Sequence, residues 1–165
     1  MTTKQEAQSL NAMMATKIGT LNVPGANLYY EVRGSGPVLL MMPGGPADAT
    51  AFRSIAGQLA PHYTVVTYDP RGLSRSKLDG PLDEKRIVEV FADDVHHLLA
   101  AVTNEKADVF ASSGGAVIAL ELAHDGGLQL AERLGTPAVV FPGAHGGFGS
   151  HAAEFAAKLR EVLEG

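Results

Sequence analysis

The chain has 165 residues, a net charge of −5 and no cysteine. That length suits one domain around one core, and the acidic balance without a concentrated Lys/Arg run argues against nucleic acid or an anionic membrane as partner. The lack of cysteine excludes a disulfide framework, a thiolate nucleophile and a Cys-ligated zinc site, and it suits a cytoplasmic protein. Runs such as VLLMM and AVVF are too short to span a bilayer, so no membrane association is expected.

Residues 1–15 are polar, carry little β pattern and are left out of the expected fold as a tail, so the domain is taken as 16–165. In TKIGTLNVPGANLYYEVRGSGP two extended segments flank Pro24-Gly25-Ala26-Asn27, which predicts an antiparallel opening. VLLMM is a buried-strand run ending in PGGP, and Phe52, Ile55 and Leu59 then recur at helical spacing. YTVVTY reads as the next strand, ending in DPRGLSRS.

From Asp83 to Val102 one helical face collects Ile87, Val90, Phe91, Val95, Leu98 and Leu99. DVFA is another strand, followed by ASSGG and the helix AVIALELA. After the break HDGG come LQLAERL, the strand AVVF, the loop PGAHGGF and a closing helix HAAEFAAKLREVLE. Strands alternating with helices behind a leading hairpin predict an α/β fold: a mostly parallel sheet covered on both faces, with functional loops at the carboxyl ends of the strands.

At a tight strand-to-helix turn a serine is forced into a strained conformation, and its neighbours two residues away must be small. Ala111 and Gly115 flank Ser113 in this way. Here the chain resembles the serine-nucleophile α/β-hydrolases, whose G-x-S-x-G elbow appears as ASSGG. PGGP resembles the family's H-G-x-P turn with Pro43 in place of histidine, YDPRGLSRS resembles the stretch after the next strand, and FPGAHGGF resembles the histidine loop. The resemblance implies Ser113 as nucleophile, His145 as base, and the backbone N–H groups of Gly45 and Gly114 as oxyanion donors, with neither cofactor nor metal. Serine at the elbow argues against the family's dehalogenases and epoxide hydrolases.

Only 31 residues separate Ser113 from His145. The family places two further strands, a cap and the triad acid there, so the chain reads as a reduced, capless core whose seam is HDGG. A crossover from DVFA would deliver AVVF beside it, with His145 one strand spacing, about 4.8 Å, from the elbow. LQLAERL must then lie crosswise or be exchanged with another molecule. No carboxylate stands at the acid's place: Asp125 falls at the wrong end of its helix, Glu132 lies on the crosswise piece, and Asp48, after PGGP, is the candidate at the right edge. AVVF as an unprotected edge predicts a homodimer, by strand pairing or by exchange around Gly126-Gly127.

Competing readings attach to these and neighbouring residues. Ser113 could be an ordinary helix N-cap and His145 a loop histidine bonded to backbone. PGGP could cradle phosphate, but it lacks G-x-G-x-x-G. His96 and His97 are adjacent on a helix and lack the spacing of metal ligands, and Asp69 and Arg71 read as loop-fixing. The expected function is slow hydrolysis of small activated esters by Ser113 and His145; a non-catalytic scaffold or binding module is the alternative.

Overall fold

The structure, a computed structural model, describes residues 15–125, 141–142 and 147–165. The strand expected at AVVF, the glycine pair 126–127, Glu132 and His145 therefore lie outside the described residues, apart from Phe141.

Two strands, β1 (Lys17–Val23) and β2 (Ala26–Arg33), form the opening hairpin, paired from Lys17–Val32 to Val23–Ala26. Pro24 presets its own φ and Gly25 supplies a φ of +78°, so two residues reverse the chain. β3 (Val38–Met42) is buried along its whole length, as a strand covered on both faces must be. A 3-10 turn over Ala49–Phe52 runs into α1 (Arg53–Leu59), which returns the chain to β4 (Thr64–Tyr68). A two-residue strand, β5 (Lys77–Leu78), pairs with the start of β2, an addition the turn-like DPRGLSRS sequence did not announce. After a 3-10 turn at Glu84–Arg86 come α2 (Ile87–Val102), β6 (Ala107–Ala111) and α3 (Gly114–Asp125). The chain closes with α4 (Gly147–Ser150) and α5 (Ala152–Glu164).

The sheet is mixed, in the order β1-β2-β4-β3-β6, with β5 pairing the start of β2 along the edge that β4 pairs farther on. Its parallel part, β4-β3-β6, carries the helices, while β2 joins β4 antiparallel. Side chains alternate across β3 with a period of two. Leu39 and Met41 meet Phe52, Ile55 and Leu59 of the first helical segment and Phe155 and Leu159 of α5. Val38, Leu40 and Met42 meet Val66, Tyr68 and, on α2, Val95 and Leu98. Helices thus cover both faces, as the alternating pattern predicts.

The apolar stripe of α2 divides along its length. Val95 and Leu98 are buried on the sheet, whereas Ile87, at the helix start, keeps 41% of its surface exposed. The stripe begins beyond the sheet and flanks a pocket there.

Candidate active site

From β3 the chain crosses to β4 on one side in the sheet, and from β4 it passes back over β3 to β6 on the other. The carboxyl ends of β3 and β6 thus flank a reversal of strand order, where open α/β sheets place their ligands. Ser112 N donates to Met42 O at 3.0 Å, carrying the ladder to the last residue before the turn. There Ser113 takes a φ of +52°. This is the left-handed region, which costs a residue bearing a Cβ about 1–2 kcal/mol. Two short bonds close the turn, Gly115 N to Ser112 O and Ala116 N to Ser113 O, each 2.9 Å. Ser113 is left exposed at the start of α3.

The glycines around it are dictated by contact. A Cβ on Gly44 would stand 2.3 Å from Ser112 O and 2.7 Å from both Gly114 N and the Ser113 Cβ. A Cβ on Gly115 would meet Pro43 O at 2.7 Å and Met42 O at 2.8 Å. The small residue two positions after Ser113 is therefore required by the end of the adjacent strand β3, not only by the strand that precedes Ser113. Gly45 has a φ of +60°. A Cβ on Gly114 would lie 3.6 Å from Gly45 N, so the two amides border one small space beside Ser113. Neither amide has a backbone acceptor among the described residues.

Two carboxylates fasten the turn that carries Gly45. Asp69, fully buried, accepts from Ala49 N at 3.0 Å and from the Arg75 guanidinium at 2.7 and 2.8 Å. Asp48 caps the 3-10 turn through Thr50 N at 2.8 Å, and its other oxygen accepts from Ser74 Oγ at 2.5 Å. The Ser74 and Thr50 hydroxyls hold the Asp48 carboxyl below the ordinary range. Asp48 is thus near the site's edge, but both of its oxygens serve the local loops. Asp125 ends α3, at the opposite end of the helix from Ser113.

The 69–76 loop is itself pinned from below. Ser76 Oγ donates to Asp69 O at 2.6 Å and accepts from Tyr29 N at 2.8 Å. Arg71 makes a two-pronged ion pair with Asp94 of α2, Nε to Oδ2 at 2.6 Å, and reaches Pro24 O at 3.2 Å. Burial pushes the Asp94 carboxyl up and the Arg71 bond pulls it back. Asp94 is the partner that sequence reasoning missed; an aspartate one residue before the buried Val95 was its signal. His96 and His97 are exposed on α2, and His97 Nδ1 lies 2.7 Å from Asp93 O. No group of three potential metal ligands occurs among the described residues.

His145 lies outside the described residues, but the residues bounding its loop are placed. Phe141 stacks on Phe155 with centroids 4.5 Å apart. Phe148 packs against Phe52 at 5.1 Å and against Phe110 of β6 at 6.3 Å. On the opposite face of the sheet a pocket of about 310 Å³ opens beside the elbow, bordered by Gly45, Gly114 and side chains of α2 and α3. Ile87 and Phe91, read from the sequence as part of one apolar helical face, line this pocket.

Comparison with known proteins agrees with this geometry. The family profile described as "alpha/beta hydrolase fold" matches residues 37–130. The chain is 55% identical over 109 residues to the uncharacterized hydrolase YraK of Bacillus subtilis (strain 168), covering 66% of this chain and 40% of that protein. It is 33% identical over 110 residues to a zearalenone hydrolase of Bionectria ochroleuca, covering 64% and 42% respectively. A laboratory-evolved variant of potato epoxide hydrolase superposes with a TM-score of 0.61 at 28% identity, over 67% of this chain and 36% of that one. The chain spans about two fifths of the length of these relatives, in keeping with a shortened region after the elbow. No helix among the described residues is long and apolar enough to cross a membrane. Strand order, elbow, glycine turn and sequence match together establish that the chain belongs to the α/β-hydrolase fold family.

Proposed function

We propose that the protein is a serine hydrolase that cleaves small activated esters through an acyl-enzyme on Ser113. The observation that carries this reading is the φ of +52° at an exposed serine whose neighbouring amide, Gly114, shares a small space with that of Gly45. A strained conformation is kept where the surroundings enforce it, and such sites cluster where chemistry is done.

In this reading Ser113 Oγ attacks the ester carbonyl carbon while His145 takes the hydroxyl proton. The carbonyl oxygen becomes an oxyanion held by the Gly45 and Gly114 N–H groups. The bond to the leaving oxygen then breaks as His145 returns the proton to it, and water hydrolyses the acyl-enzyme by the same steps. Phe148, three residues after His145, packs against Phe110, three residues before Ser113, which supports bringing imidazole and hydroxyl together.

Asp48 is committed to Thr50 and Ser74, so turnover is expected to be slow. Loss of the orienting acid in Ser-His-Asp enzymes costs roughly 10⁴. Hydrolysis of p-nitrophenyl acetate that disappears in Ser113→Ala supports the reading. Turnover no greater than that of Ser113→Ala favours the alternative, a non-catalytic scaffold with the same fold.

A further inference from the structure

Glu31 is a buried carboxylate within β2, 5% exposed, with Ile18 and Thr67 as its neighbours across the sheet. A charge in such a place is costly unless it is paired. The Arg33 guanidinium, the Tyr29 hydroxyl at 3.1 Å and Arg75 Nη1 at 3.2 Å all donate to it. A well-packed apolar side chain would often serve the sheet as well, so stability alone gives no reason for the charge. What the charge adds is a fixed direction for Arg75. On the reading that Ser113 and the Gly45 amide act together on an acyl carbon, we infer that Glu31 and Arg75 are positioning residues. They set the orientation of the Asp69 carboxylate, and through it the place of the Gly45 N–H.

The link can be followed atom by atom. Arg75 Cζ stands 3.7 Å from the centre of the Tyr29 ring, and Glu31 holds the Nη1 end of the guanidinium. Nε and Nη2 are left to grip the two oxygens of Asp69, at 2.7 and 2.8 Å. The main chain of Asp69 is already tied to β2 by its own N–H, which donates to Tyr29 O at 3.0 Å. Rotation of the carboxyl group is the freedom that remains, and the two-pronged bond removes it. Asp69 Oδ1 then accepts Ala49 N at 3.0 Å, at the end of the turn that carries Gly45.

The other end of that turn is fixed by Gly44, which packs against Ser112 O and Gly114 N so closely that no Cβ would fit. Between these ends a Cβ on Gly45 would meet nothing within 4 Å. The Gly45 amide is thus placed by the two ends of its turn and not by packing around it. An oxyanion donor is effective only at hydrogen-bond distance from the point where the oxyanion forms, so a turn free to shift at one end loses part of its effect. Neither Glu31 nor Arg75 borders the pocket at the elbow, and their route to the chemistry is through Asp69.

Two conservative variants test this. Arg75→Lys keeps a cation beside Asp69, so no buried carboxylate is left unpaired, but an ammonium cannot grip Asp69 and Glu31 together. Glu31→Gln keeps the shape and removes the charge. Each is compared with the parent by the inactivation kinetics of a fluorophosphonate, resolved into a binding constant and a limiting rate, and by amide hydrogen exchange. The limiting rate should fall at least about fivefold with the binding constant unchanged, a part of the roughly 10²–10³ that loss of an oxyanion donor costs. Exchange at Ala49 should quicken about tenfold while that at Leu40 of β3 stays within about twofold. An unchanged limiting rate in both variants, or equal quickening at Ala49 and Leu40, overturns the inference, since the ion pairs would then serve the fold alone. A parent that takes up no probe overturns the Ser113 reading instead. In that case quickening confined to Ala49 still supports the link from Glu31 to the turn, and unchanged exchange there overturns it.

Discussion

The buried carboxylate of Asp69 accepts the backbone N–H of Ala49 at 3.0 Å and so ties the end of β4 to the turn that presents Gly45. The same carboxylate takes three bonds from Arg75: two from its guanidinium and one from its backbone N–H, the last at 3.0 Å. Asp69→Ala would leave a buried amide without its acceptor and a guanidinium without its main partner. We expect a loss of about 3–5 kcal/mol in urea unfolding, with Asp69→Asn intermediate because it keeps one acceptor. A loss below about 1 kcal/mol for Asp69→Ala would show that the loop is held by other contacts.

The two glycines of the PGGP turn should respond very differently to alanine. At Gly45 an added Cβ meets nothing within 4 Å, so only the left-handed φ resists, and a cost of about 1–2 kcal/mol is expected. At Gly44 the Cβ would lie inside contact distance of three atoms of the elbow, all on Ser112, Ser113 or Gly114. Gly44→Ala should therefore destabilise by several kcal/mol, about 3 or more, and also displace Ser113. Equal midpoints for the two variants in a thermal melt would contradict this packing.

Strain at Ser113 makes its own prediction. Ser113→Gly relieves about 1–2 kcal/mol of backbone strain but adds freedom to the unfolded chain worth roughly 0.4–1 kcal/mol. Its stability should match or exceed the parent by up to about 1.6 kcal/mol. Ser113→Ala keeps the Cβ and the strain, and should melt within a degree or two of the parent while losing all ester hydrolysis. A markedly less stable Ser113→Gly would mean that the hydroxyl serves as a cap.

Arg71 and Asp94 form a buried pair in which each removes the other's uncompensated charge. Arg71→Ala should cost about 3–5 kcal/mol, and a second substitution, Asp94→Ala, should recover part of it. Additive losses in the double variant would rule out coupling.

The Ser74 and Thr50 bonds set the folded Asp48 carboxyl below its ordinary value of 3.8. Its stabilisation is therefore fully present above that value and fades as pH falls through the lower folded one. The difference in melting temperature between the parent and Asp48→Asn should be constant from pH 7 to 5 and shrink below about pH 4. A difference that grows on acidification would give the shift the opposite sign.

How much of this was legible beforehand depended on the range of the interaction. The β3 run VLLMM, the helical spacing of Phe52, Ile55 and Leu59, and the small residues around Ser113 carry their structural meaning within a few positions, and the chain folds as they indicate. Asp48 illustrates the limit. Its place at the correct edge was readable, but its engagement by Ser74, 26 residues away, was not. Asp94 and Arg71 meet across 23 residues, and the pocket needs the first turns of two helices 27 residues apart in sequence. Such convergence depends on sheet order, which local patterns do not encode.

The most direct test of the central claim is the intact mass of the protein after exposure to a fluorophosphonate probe, followed by peptide mapping. A single adduct on Ser113, absent from Ser113→Ala and from the unfolded chain, is the predicted result. An unmodified mass, or an adduct on another serine with Ser113 untouched, would contradict it.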